Sequence, residues 1–120
     1  MAGIFENEFG SITISSSVIS AIAGSVATKC YGVVGMAFKN TKDGIVNLLK
    51  AGNLSKGIQI SFDEADALSI DLHIIVQYGV NISAICQSIM NNVKYQVTTI
   101  TGLEVENVNV YVESVRVAND

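Results

Sequence analysis

The stretch Leu68–Tyr78, LSIDLHIIVQY, constrains this chain more than any other part of it. Leu68, Ile70, Leu72, Ile74, Val76 and Tyr78 fall at every second position, with Ser69, Asp71, His73 and Gln77 between them. Successive side chains of a strand point to opposite faces, so the pattern demands one covered apolar face and one face open to polar contacts. A helix would scatter the same apolar residues around its circumference. The stretch is a strand, and something apolar must lie against one side of it.

The rest of the chain supplies neighbours. Gly57–Phe62, GIQISF, alternates in the same way with Ile58, Ile60 and Phe62 on one face, and the short charged DEADA segment joins the two as a hairpin connection. Gly10–Ile14 and Val33–Phe38 read as further strands. A last strand follows TGLE. Val108, Val110 and Val112 share one parity there, and Leu103, Val105, Val115 and Val117 share the other. Phase slips near Glu106-Asn107 and Glu113-Ser114 predict bulges or bends.

Two segments carry helical period. Ser15-Ser16-Ser17 offers N-cap hydroxyls, and Val18, Ile19, Ile22, Ala23, Val26, Ala27 and Cys30 follow as an apolar stripe that Tyr31-Gly32 ends. Gly24 within it predicts close packing against a strand. Asn81 caps the second helix. Its stripe of Ile82, Ile85, Cys86, Ile89, Val93, Val97 and Ile100 closes at Gly102, a left-handed C′ residue. Between Asn40 and Lys56, the residues Ile45, Val46, Leu48 and Leu49 are spaced for one face of a short helix. The predicted order is β-α-β-(α)-β-β-α-β. That is a single small α+β domain over residues 9–118 behind an N-terminal tail of residues 1–8, with a mixed sheet and the two main helices on one face.

A chain of 120 residues, 49% apolar and 15% charged, builds one core and not two. Its net charge of −4 argues against a general nucleic-acid binder. The charge is uneven: five lysines face three acids up to Lys56, while eight acids face only Lys94 and Arg116 after it. Lys29 and Lys39 flank GVVG at residues 32–35. In a KH domain a GxxG loop joins two helices and offers polar or basic residues to a nucleic-acid backbone. Here the middle residues are valines and a strand follows, so the glycines read as a helix end and a close backbone approach. A KH-like nucleic-acid module using Lys29, Gly32–Gly35 and Lys39 is the alternative. The segment MAGIFENEFG has acids where an export signal needs positive charge, and Ser11–Thr28 is too rich in Ser and Thr for a membrane span. A cytoplasmic protein is expected.

Reactive groups are sparse. His73, the only histidine, shares a strand face with Asp71, which would allow an Asp–His pair, but no nucleophile is placed beside it by sequence. One histidine and the separated Cys30 and Cys86 do not make a metal-ligand set, and both thiols read as buried. Asp63, Glu64 and Asp66 lack the calcium-loop pattern. Neither GxxxxGK[ST] nor GxGxxG occurs. The expectation is a protein without catalytic residues, metal or cofactor. The residues singled out for partner contact are Lys29 and Lys39 in the basic region, and His73, Asn109 and Tyr111 on the polar strand face.

Taken together, YGVVGMA, KGIQI, IDLHIIVQYGVNIS and TGLEVENVNVYVESVRV resemble the alkaline shock protein family of Gram-positive bacteria, in its YloU-like branch. The likeness covers roughly residues 9–118. It implies a small cytoplasmic α+β protein linked to cell-envelope stress that has no catalytic residues or cofactor and associates with itself. It also implies an unidentified protein partner, through which some members are held at the membrane. A fatty acid kinase, encoded beside YloU-like members, is the candidate, with a link to phospholipid precursor supply. Gly32, Gly35, Gly79 and Gly102 match the family as structural glycines, and no functional residue carries over.

Overall fold

The computed structural model describes residues 2–39, 46–48 and 56–117, the side chains of residues 2, 39 and 46–48 excepted. Along the chain the elements are β1 (Ala2–Asn7), β2 (Gly10–Ser15), α1 (Ser16–Thr28), β3 (Val33–Lys39), β4 (Val46–Leu48), β5 (Ile58–Phe62), β6 (Leu68–Gln77), α2 (Ile82–Thr101) and β7 (Val105–Arg116).

The alternating stretch forms β6, and β6 is the centre of the sheet. β7 pairs with it in parallel from Leu68 to Gln77 and so occupies one whole edge. The other edge is divided between two antiparallel strands. β5 takes Leu68 to Leu72, and β3 takes Ile74 to Val76. β4 extends the sheet beyond β3. The mixed sheet expected from sequence is present, and α2 is the crossover that a parallel β6–β7 pair requires.

Both helices cover one face of this sheet. Ile19, Ala23 and Ala27 of α1, with Ile85, Ile89, Val93 and Val97 of α2, close a single core with Leu68, Ile70, Leu72, Ile74 and Val76. Each fully buried aliphatic side chain of this size contributes about 1.5–3 kcal/mol relative to exposure. The helix ends follow local chemistry. Asn81 Oδ1 accepts from the Ala84 amide at 3.1 Å, and Gly102 closes α2 in the left-handed region at φ 77°. Ser15 occupies the N-cap of α1, but its hydroxyl bonds that of Ser17 at 2.9 Å and caps no amide. The expected hydroxyl cap is therefore not made. α1 also stops earlier than Tyr31-Gly32, at Thr28, whose hydroxyl donates back to the Gly24 carbonyl at 2.8 Å.

Three expectations change. Residues 2–7, expected as part of a tail, form β1 and pair with β2 from Ala2↔Ser15 to Asn7↔Gly10. Gly3 permits this: a Cβ there would stand 2.5 Å from Leu103, so the missing side chain lets the strand seat against the end of α2. The short helix expected around Ile45–Leu49 is replaced over Val46–Leu48 by β4, which pairs with β3 through Ala37↔Leu48 and Lys39↔Val46. An available sheet edge outweighs a weak helical period in so short a segment. The rest of that expected helix lies outside the described residues. Tyr78 leaves the strand before its side chain reaches the core. It sits in a turn with Gly79 at φ 91° and is 71% exposed.

The β5–β6 connection is a hairpin, organised by one carboxylate. Asp63 Oδ1 accepts from the amides of Ala65 at 2.9 Å and Ala67 at 2.8 Å, and Asp66 takes a positive φ of 62°. The Ala67 amide, and then a hydrogen bond from Glu106, hold the Asp63 carboxyl below its ordinary 3.8. The bond to Asp63, and then its charge, raise Glu106 above 4.5. The signs are opposite. The Glu106 contribution is complete below its unfolded value and is lost as pH rises through the raised folded value. The Asp63 contribution is complete above its unfolded value and is lost as pH falls through the lowered one. On acidification stability should therefore first rise slightly and then fall. In Asp63→Asn, which keeps the amide contacts, both features should flatten; a urea-unfolding profile against pH identical to the parent's would contradict this assignment.

Candidate functional site: the polar face of the central sheet

The face of β6 turned away from the helices carries Ser69, Asp71, His73, Ile75 and Gln77. Ile75 is fully buried and stands in the ladder between Gly35 and Ser114. The remaining residues are half-buried and polar, and β7 brings a matching row beside them. Asp71 lies opposite Asn109 in the register, and Asn109 Nδ2 donates to Asp71 Oδ1 at 2.9 Å. His73 lies opposite Tyr111. The two rings stack with centroids 4.8 Å apart and planes 14° from parallel.

A break in the ladder completes the cluster. Ile74 pairs with Val112 but Ile75 pairs with Ser114, so Glu113 is the extra residue of a bulge. Glu113 Oε2 accepts from His73 Nδ1 at 2.5 Å, with the two side chains only 17% and 24% exposed. A carboxylate and an imidazole nitrogen at this distance form a hydrogen bond that fixes the orientation of the ring. A second bulge, at Glu106, falls between Leu68↔Val105 and Ser69↔Asn107. Both lie at the phase slips visible in the sequence.

His73, Asn109 and Tyr111 thus come together on one surface. The Asp71–His73 pair considered from sequence is not made: Asp71 bonds Asn109, and His73 bonds Glu113. Glu113 is a site residue that the sequence reading does not single out. Its signal is parity: Glu113 follows Asn109 and Tyr111 at every second position, and the slip comes after it, at Ser114. Lys29 lies elsewhere. It borders an open cleft of about 860 Å³ between α1 and α2, on the helical side of the molecule. Lys39 ends β3, with its side chain outside the described residues. GVVG does not join two helices: Gly32 lies in the bend between α1 and β3, as read from sequence, and Gly35 pairs with Ile75 inside β3.

Chemically the cluster is rigid and polar. Among the described residues no group of three His, Cys, Asp or Glu is placed to hold a metal ion. Cys30 and Cys86 are both free and half-buried, less enclosed than expected. Burial pushes the Cys86 thiol up, away from the reactive thiolate. Among the described residues no helix is long and apolar enough to cross a membrane.

Fold and face together define a small α+β module whose fixed polar groups lie on an open strand surface. Residues 5–117 match the alkaline shock protein family, described as having a cell envelope-related function, and the chain belongs to that family. It is 45% identical to the Bacillus subtilis protein YloU over 93% of each chain. It is 36% identical to Spy1614 of Streptococcus pyogenes over 92% of each, and 26% identical to Bacillus subtilis YqhY over 92% of this chain and 81% of that one. All three relatives are described as uncharacterized. No solved structure matches the chain.

Proposed function

We propose that this chain is a non-enzymatic accessory protein of the cell envelope that works through protein–protein contacts, and that the polar face of β6 and β7 is its contact surface. One observation carries the reading. Tyr111 is 47% exposed yet already immobilised, because it stacks on a His73 ring that Glu113 holds in place. A partly exposed aromatic fixed before binding loses little conformational freedom on contact, and such side chains dominate interface energetics. Asn109, pinned by Asp71, adds a hydrogen-bonding group two residues away.

The fatty acid kinase associated with the YloU-like branch is the first partner to test, with the protein acting in the cytoplasm and reaching the membrane through that partner. Association with further copies of the chain belongs to the same reading. Titration of purified kinase should show binding that Tyr111→Ala weakens at least ~10-fold. Thr99→Ala, an exposed change on α2 at the other side of the sheet, should leave it unaltered. Equal affinity of parent and Tyr111→Ala would rule out this face, and no binding by the parent would remove the kinase.

A further inference from the structure

The hairpin of β1 and β2 ends in a loop whose composition its backbone does not explain. Asn7 pairs with Gly10, leaving Glu8-Phe9 as a two-residue connection. Such loops are normally filled by Gly, Asn or Asp, which suit the backbone. Here Gly10 takes the positive φ of 144°, and Asn7 Oδ1 fixes the turn by accepting from the Phe9 amide at 2.8 Å. The Phe9 side chain contributes nothing to that turn and is 91% exposed at its apex. Ile4 and Ile12 are exposed behind it. The arm also carries Glu6 and Glu8 and no basic residue. It is an apolar tip with negative charge beside it.

The α1–α2 cleft has the complementary character. Ile22, Val26 and Ile100 give it apolar walls, and Lys29 is the only charged residue lining it among the described residues. Ile100 continues the apolar stripe of α2 but is 60% exposed, because the cleft leaves it uncovered. Serine and amide side chains, among them Ser25, Asn92 and Gln96, line the rest together with Ala21, Cys30 and Tyr31. With Phe9 so exposed, the chain's own cleft does not hold its own tip. Apolar wall, single cation and open volume match apolar tip and carboxylate.

We propose that the tip of the hairpin arm docks in the α1–α2 cleft of a second copy of this chain, with Phe9 against Ile22, Val26 and Ile100 and with Glu8 beside Lys29. This rests on the self-association included in the proposed function, and it names the two surfaces that make it. The two surfaces are different patches. Each copy therefore offers both an arm and a cleft, and the contact either closes reciprocally or continues from copy to copy.

Sedimentation across a concentration series is the test. The parent should associate reversibly, and Phe9→Ser should weaken association by roughly ten- to a hundredfold, the loss of one buried aromatic side chain. Lys29→Glu should weaken it several-fold at low salt and less at high salt, where the ion pair is screened. Combining Glu8→Lys with Lys29→Glu should recover most of what either change loses alone. All three positions are solvent-accessible, and unchanged circular dichroism verifies that the variants fold. A parent that stays monomeric into the high-micromolar range overturns both the docking and the self-association behind it. Association indifferent to Phe9→Ser overturns the docking alone, and failure of the charge exchange to restore association overturns the Glu8–Lys29 contact.

Discussion

Gly32→Val is expected to lower the unfolding free energy by roughly 2–3 kcal/mol, from two independent costs. The residue holds φ at +85°, where a side chain with a branched Cβ is strained by about 1–2 kcal/mol. A Cβ added there would also collide with Ile85 Cδ1 and press within 3.1 Å of Val80 Cγ1. Ile85 belongs to the first turns of α2, so the collision falls where the exit of α1 meets the entry of α2. The nearest atom is the end of the Ile85 side chain, which can turn aside, so the crowding adds about 1 kcal/mol, the low end of ordinary overpacking. Urea unfolding followed by circular dichroism measures the sum. Gly32→Ala should lose less, and adding Ile85→Ala should return the collision component while leaving the backbone component. A Gly32→Val protein as stable as the parent would mean that this junction is not as tight as described.

Leu72→Ala is expected to cost about 2–5 kcal/mol, the range for removing a fully buried leucine whose surroundings relax only in part. Leu72 is fully buried and lies in the ladder between Ile58 of β5 and Val110 of β7, beneath both helices. Neighbours on three sides leave little freedom to collapse into the cavity. Gln59→Ala provides the contrast. Gln59 pairs with Asp71 but is exposed on the opposite parity, so its loss should stay within about 0.5 kcal/mol. The ratio of the two effects tests the assignment of faces directly. Comparable losses would mean that the β5–β6 parity is wrong.

Much of this architecture is legible in the sequence because its signals are local. The parity of β6 separates Leu72 from His73 without reference to anything else in the chain. Asn81 and Gly102 bracket α2 by their own conformational preferences, and the DEADA turn closes on its own Asp63. The two phase slips in β7 are readable as bulges because a period of two makes any inserted residue visible.

The misses share a different cause. β1 reads as tail because Ile4 and Phe5 are adjacent and leave no clean alternation. Its place as a strand depends on Gly3 meeting Leu103 from the far end of α2. β4 exists by pairing with β3, and its three residues carry too little period to announce a strand. Ile100 belongs by period to a buried stripe, and only the width of the α1–α2 cleft leaves it open.

The candidate site shows the division most clearly. From the sequence alone came the two helices and the strands apart from β1 and β4, their buried and polar faces, and the facts that His73 and Asp71 share one side of β6 and that β7 slips near Glu113-Ser114. Periodicity and capping are properties of neighbouring residues, so one chain read in order suffices for them. Only the tertiary structure decided that β7 runs parallel to β6 in the register that sets Tyr111 on His73 and Asn109 on Asp71. It also decided that Glu113 bonds the histidine, and that Lys29 faces the opposite side of the molecule. Register is chosen by contacts summed over the whole sheet and both helices. A slip of one residue would have turned every one of these side chains to the other face.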